Sequence, residues 1–355
     1  MFNTHLKKIS RISNYNIDRS LYFRLDANER TIPFSKKDVS KLKSYITSDL
    51  LQSYPSSKES LVRLISKKEK IDKKYLNLIP GADPGIKYIF DIFSSQKGYV
   101  LSIFPTYGMV EIYCKTHKYK FLKILENNIK DFLLNKTINS KTLFIYLANP
   151  NSPSGKLLDK KIIIEIIKKA KKYNKLVIVD EAYIEFSLEK SFSSLVKKYD
   201  NLIVLRTFSK CIGIAGLRIG YTIASPKINN AINAIRPPHD ISIFSIKVAE
   251  YFLSNKKIWN DYIKMINASK NFVNLECRKR NFKFFNTEAN FFHIFFKKNK
   301  ILKIVKYLKN RKLLVASKYL GNYKSYNDSL RVTYGSIKQL KIFFKMLDSF
   351  LIRNK

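Results

Sequence analysis

Leu176-Val-Ile-Val-Asp180-Glu-Ala-Tyr183 reads as a buried strand that ends in a carboxylate. Beyond it lies Arg206-Thr-Phe-Ser-Lys210-Cys-Ile-Gly-Ile-Ala-Gly-Leu-Arg218-Ile-Gly-Tyr221, in which one lysine stands between a hydroxyl-rich turn and an arginine eight residues later. Each segment is led by a short apolar run without polar alternation, the pattern of strands buried on both faces. Similar runs occupy 99–104, 142–147, 201–205 and 217–224, and 159–173 carries the apolar spacing of a helix. Strands alternating with helices predict an α/β fold, a mostly parallel sheet flanked by helices. Ligands of such sheets sit beyond the carboxyl ends of the strands. Asn149, Asp180 and Thr207 each follow a strand at once.

The order of groups is what pyridoxal phosphate (PLP) chemistry needs. The amine of Lys210 can condense with an aldehyde. Asp180 can keep a pyridine nitrogen protonated, so that the ring acts as an electron sink. Tyr183 can reach the ring hydroxyl from the same loop. Thr207, Ser209 and Arg218 offer hydroxyls and a guanidinium for a phosphate. Gly81-Ala82-Asp83 precedes a helical stretch from about Pro84, and backbone amides at a helix start hold phosphate well. Taken singly, these stretches also read as a strand boundary, a turn, a paired arginine and a helix cap. Taken in order, they point to one site.

From about Leu25 to about Ser336 the chain resembles the fold-type I aminotransferases, and within them the histidinol-phosphate aminotransferase group. The stretches that carry the resemblance are Leu25-Asp-Ala-Asn28-Glu29, Gly81-Ala-Asp83-Pro-Gly-Ile, Phe104-Pro-Thr-Tyr107-Gly-Met and Asn149-Pro-Asn-Ser-Pro-Ser-Gly155. The Asp180 and Lys210 stretches follow, then Arg236-Pro-Pro, Glu288-Ala-Asn290-Phe and Leu330-Arg331-Val-Thr-Tyr-Gly335. The resemblance implies a sheet of the seven-stranded type in a large PLP-binding domain, 36–240. A smaller α+β domain would cover 241–355, joined by an N-terminal arm, 1–35. The last third agrees: 243–281 reads as mainly helical, 291–296 and 330–334 as strands, and the regions around 299–310 and 337–352 as helices.

The resemblance also implies roles. Tyr107 would stack on the cofactor ring. Tyr54 would reach the cofactor phosphate of a neighbouring subunit, making a homodimer with shared sites. Arg331 would bind the substrate carboxylate or its equivalent, with Asn28 beside the substrate. Three departures surround the substrate. Ser152 stands where the family has an asparagine that supports the ring hydroxyl, with Asn151 one residue earlier, so either takes a changed contact. The usual arginine for a substrate phosphate is replaced by Lys318 at best. Asn28-Glu-Arg-Thr31 replaces Asn-Glu-Asn-Pro, and the usual proline-tyrosine pair near the N-terminus is absent.

A length of 355 residues gives ample material for a core. No apolar run approaches the roughly 18 residues of a membrane span, and the start carries charge without the apolar stretch of a secretory signal. The three cysteines are far apart, as in a reduced, cytoplasmic setting. The four histidines are scattered, and no metal site is expected. A net charge of +40 raises nucleic-acid binding as a rival. The lysines are spread over nearly every segment, no nucleic-acid motif is present, and Ile, Asn, Phe and Tyr share A/T-rich codons with Lys. The positive field should instead attract anionic ligands.

The expected function is a cytoplasmic, PLP-dependent aminotransferase acting on a small phosphorylated substrate, without membrane or nucleic-acid partners. Two alternatives would use the same cofactor groups. One is a decarboxylase of serine or threonine phosphate. The other is amination of a small ketone phosphate for surface-polysaccharide synthesis. Which bond breaks depends on the substituent held perpendicular to the ring.

Overall fold

The computed structural model describes residues 4–9, 17–55, 57–130, 137–317, 326 and 328–353. In chain order the strands are β1 (Phe23–Leu25), β2 (Leu76–Ile79), β3 (Tyr99–Phe104), β4 (Lys120–Leu125), β5 (Thr142–Ala148) and β6 (Leu176–Asp180). They continue as β7 (Leu202–Thr207), β8 (Gly220–Ile223), β9 (Phe284–Asn286), β10 (Phe291–Phe295), β11 (Leu313–Val315) and β12 (Ser329–Thr333). Seven of them form one sheet in the order β2-β8-β7-β6-β5-β3-β4. β8 is antiparallel to β2 and β7, and the remaining pairs are parallel.

The central strands are buried on both faces, as their unbroken apolar runs require. Phe144, Tyr146, Ile178, Ile203 and Leu205 face one core, with Ile86, Ile89 and Phe90 of the helix Ala82–Ile92. Ile145, Leu147, Val177, Val179, Leu202 and Val204 face the other, with Ile163, Ile166 and Ile167 of the helix Lys160–Lys172. The period of two along each strand thus sorts one apolar run into two cores.

A three-stranded antiparallel sheet, β12-β10-β9, has a third core with the helices Lys298–Asn310 and Ile337–Arg353. β1 pairs with β11 in parallel, so the N-terminal segment lies beside the last third of the chain.

One sequence expectation is corrected and another is borne out with a break in it. The run 217–224 is not one strand: Ala215–Leu217 form a 3-10 turn, Arg218 takes a left-handed φ of 48°, and the strand starts at Gly220. The stretch 243–281 is two helices, Ile243–Ser254 and Lys256–Lys279, parted at Asn255 where ψ is 64°. The first helix packs into the core of the larger sheet and the second into that of the smaller one. Among the described residues no helix is long and apolar enough to cross a membrane.

Candidate active site

The segments leaving the carboxyl ends of β2, β3, β5, β6 and β7 begin with Pro80, Pro105, Asn149, Glu181 and Phe208. They bring most of the expected site residues to one edge of the sheet. At the end of β2, Gly81 takes φ +94°, a conformation open to glycine, and starts the helix Ala82–Ile92 without a capping side chain. A Cβ on Gly81 would lie 2.8 Å from Nη2 of Arg218, and one on Gly220 would lie 3.4 Å from the Ala82 nitrogen. Both glycines let the helix start, β8 and the guanidinium close on one another. Nη1 of Arg218 donates to Ser209 Oγ at 3.3 Å, and Thr207 Oγ1 accepts from the Ser209 amide at 3.1 Å. The uncapped amides, the positive end of the helix dipole, two hydroxyls and a guanidinium form a donor set suited to a phosphate.

Asp180, the last residue of β6, is buried, as is Tyr183. Its Oδ1 accepts from the Ala182 amide at 3.0 Å and its Oδ2 from the Tyr146 hydroxyl at 2.6 Å. Burial pushes the carboxyl up; the two hydrogen bonds oppose that, Asp83 adds to it, and the positive charge of Lys210 pulls it down. Lys210 is half-buried. Its Nζ donates to the Ala27 carbonyl at 3.1 Å and lies 5.6 Å from the Tyr183 ring centroid. The Tyr183 hydroxyl accepts from Asn28 Nδ2 at 3.0 Å. Tyr107 is half-buried in the loop after β3, and burial pushes its phenol well above the ordinary range. Asp83 accepts from the Tyr113 hydroxyl at 3.0 Å.

Residues from the ends of the chain close the other side. Asn28, left-handed at φ 54°, has its Oδ1 bonded by the Thr333 hydroxyl at 3.2 Å and its carbonyl by Asn290 Nδ2 at 3.1 Å. Arg331 on β12 donates from Nη2 to the Asp26 carbonyl at 2.9 Å and lies over the Phe291 ring. Asn151 is buried, and both ends of its amide are engaged: Nδ2 donates to the Pro105 carbonyl at 2.8 Å, and Oδ1 accepts from the Ser152 amide at 2.8 Å. Ser152 is half-buried in the same loop. Tyr54 does not join the cluster in this chain; it is 80% exposed and stacked on His239 at 4.8 Å. Lys318 lies outside the described residues. Among the described residues no group of His, Cys, Asp and Glu could hold a metal ion.

Sequence reasoning passed over Tyr146, a lone phenol in an aliphatic strand. It also passed over the buried ions beneath the site. Arg206 bonds Glu181 at 3.1 Å and Glu185 at 2.5 Å, with Glu69 at 3.5 Å and Lys68 beyond it. Burial pushes Glu69 up, but Arg206 and Lys68 outweigh it and hold the carboxyl at about 2. A charge at the end of an apolar strand was the available signal, and only the fold shows what it meets.

The sequence model of the family "Aminotransferase class I and II" matches residues 24–347. Histidinol-phosphate aminotransferase 1 of Carboxydothermus hydrogenoformans is 32% identical over 339 residues, 94% of each chain. Two solved structures share the fold. Histidinol-phosphate aminotransferase of Sinorhizobium meliloti, in complex with pyridoxal-5'-phosphate, has a TM-score of 0.86 at 17% identity and covers 100% of this chain and 98% of its own. L-threonine-O-3-phosphate decarboxylase of Porphyromonas gingivalis has a TM-score of 0.79 at 20% identity and covers 92% and 98%.

Proposed function

We propose, from the premise that this chain belongs to the aminotransferase class I and II family, that it is a histidinol-phosphate-aminotransferase-like enzyme moving an amino group to or from a small phosphorylated substrate. Its cofactor is pyridoxal 5'-phosphate. One observation carries the assignment: a buried carboxylate, a lysine and an uncapped helix start with an arginine lie together beyond the ends of β6, β7 and β2.

The phosphate is held by the amides of Ala82 and Asp83, by Thr207 and Ser209, and by Arg218. Asp180 holds the ring nitrogen, Tyr183 the ring hydroxyl, and Tyr107 covers the ring. Asn151 Nδ2 is engaged by the Pro105 carbonyl after β3 and its Oδ1 by the Ser152 amide, which leaves the second contact to the ring hydroxyl to Ser152. When bound, the cofactor supplies an aldehyde and an electron-withdrawing ring. Lys210 would anchor it at rest; as a free neutral amine its Nζ would take up the proton of the substrate carbon and deliver it to the cofactor carbon. The buried carboxylate of Asp180 repays its desolvation when a cation faces it. Arg331 and Asn28 receive the anionic end of the substrate, with Lys318 as a further cation.

We assign the chain three parts, 1–35, 36–240 and 241–355, with the helix Ile243–Ser254 as the piece of the third part that packs on the first core. It acts as a homodimer in which Tyr54 serves the neighbouring site. Support comes from the exposed apolar side chains Ile46, Leu51 and Tyr54 on one short segment. The three cysteines are free and buried, in keeping with a reducing cytoplasm.

Steady-state kinetics with histidinol phosphate, serine phosphate and dihydroxyacetone phosphate, each against its unphosphorylated counterpart, test the assignment. Amine transfer and carbon dioxide release are both measured. A phosphorylated substrate should be preferred by at least about tenfold, roughly 1.4 kcal/mol. Equal turnover of phosphorylated and plain compounds removes phosphate recognition; release of carbon dioxide without amine transfer makes the chain a decarboxylase.

A further inference from the structure

The register of the sheet places Tyr146 and Asp180 on one face. Ala148 pairs with Asp180 and Tyr146 with Ile178, so the phenol sits one pair-step behind the carboxylate. Both side chains are buried, and the hydroxyl meets Oδ2 at 2.6 Å. The hydroxyl has one proton to give, and here it gives it to Asp180. Burial and the neighbouring carboxylate push this phenol well above its ordinary range, so it remains a donor.

We propose that Tyr146 is a positioning residue for the aminotransferase reaction: its hydroxyl holds Asp180 as an aligned carboxylate, so that the shared proton resides on the cofactor ring nitrogen. The inference rests on the reading that Asp180 faces that nitrogen.

Two protonation states compete at this contact. The proton sits either on the ring, facing a carboxylate, or on Asp180, facing a neutral ring. Burial and Asp83 favour the second state; the Ala182 amide and the Tyr146 hydroxyl favour the first. A donor to a charged acceptor stabilises the charged form more than the neutral one. Only a ring that carries the proton draws electrons strongly from the substrate carbon. The Ala182 bond comes from the backbone of the same turn, whereas the Tyr146 bond comes from the neighbouring strand. It therefore also fixes where Oδ2 points relative to the sheet. Asp83 accepts from the Tyr113 hydroxyl, while the Tyr146 hydroxyl donates to Asp180.

Tyr146→Phe tests this, because it keeps the ring that fills the core and removes only the donor. The holoenzyme is reconstituted with cofactor labelled with nitrogen-15 in the ring. The expected result is retained cofactor, KM within about twofold, and kcat lowered at least about tenfold, the scale of one hydrogen bond to a charged group. The ring-nitrogen resonance should move toward the unprotonated position. A 1-deaza cofactor analogue, with carbon in place of the ring nitrogen, should bring Tyr146→Phe and wild type to the same rate, because there is no proton to hold. An unmoved resonance, a kcat within about twofold of wild type, or an equal deficit with both cofactors overturns the proposal. If wild type keeps its full rate with the analogue, the reading of Asp180 itself falls. Should the variant not fold, 3-fluorotyrosine at 146, a stronger donor of nearly the same shape, must keep the ring nitrogen protonated to a higher pH than in wild type; an unchanged titration of the resonance also overturns the proposal.

Discussion

Lys210 is held by the Ala27 carbonyl and the face of Tyr183. It is half-buried on a loop, so truncation opens no large cavity. Lys210→Ala should fold, bind the cofactor reversibly and lose all adduct that borohydride can trap, read by mass spectrometry of the digested protein. An adduct on another lysine would refute the assignment. Lys210, Asp180, Tyr183 and Arg218 were legible in the sequence because their chemistry restricts both residue type and spacing along two connected loops. Tyr146 was not, because a tyrosine in a buried strand acquires meaning only when the register shows which carboxylate lies beside it. Tyr54 marks the opposite limit: its role was read by resemblance, and no contact within one chain expresses it.

At the scale of elements, the central strands β3, β5, β6 and β7 were legible as apolar runs, and the helices Lys160–Lys172 and Ile337–Arg353 as amphipathic ones. The short strands β1, β9 and β11 were not, since three residues carry no period and pairing alone defines them. A buried imidazole ties the smaller sheet to the loop after β5. His293 on β10 is buried, with its ring nitrogens bonded to Ser329 Oγ at 3.0 Å and to the Pro153 carbonyl at 2.8 Å. Burial holds this imidazole down to about 3, against an ordinary 6.5. A base whose folded pKa is depressed leaves the unfolded chain binding the extra proton between those values. Stability therefore falls as pH drops from about 6.5 toward 3. His293→Gln keeps a polar side chain that does not titrate. Its urea-unfolding free energy should decline less than that of wild type between pH 6.5 and 4. Parallel profiles would mean that His293 is not neutral and buried in solution.

The whole molecule presents Tyr54 outward, and of the other described site residues only Arg218 is also exposed. If that phenol serves the neighbouring subunit, two defective chains can repair one another. Mixing inactive Lys210→Ala with a defective Tyr54→Ala variant under conditions of subunit exchange should restore up to about a quarter of wild-type activity, since half the dimers are hybrids and each holds one intact site. No recovery after exchange is verified by mass spectrometry would leave the site to a single subunit. The bonds that hold Asn28 in place reach across the chain: its amide and Oδ1 meet Thr333, 305 residues away. During biosynthesis, a ribosome that has just added residue 300 has already issued the lysine, the carboxylate and the phosphate loop. It has not issued the strand that fastens Asn28. The nascent chain thus cannot fix Asn28 beside the site until Thr333 has been made.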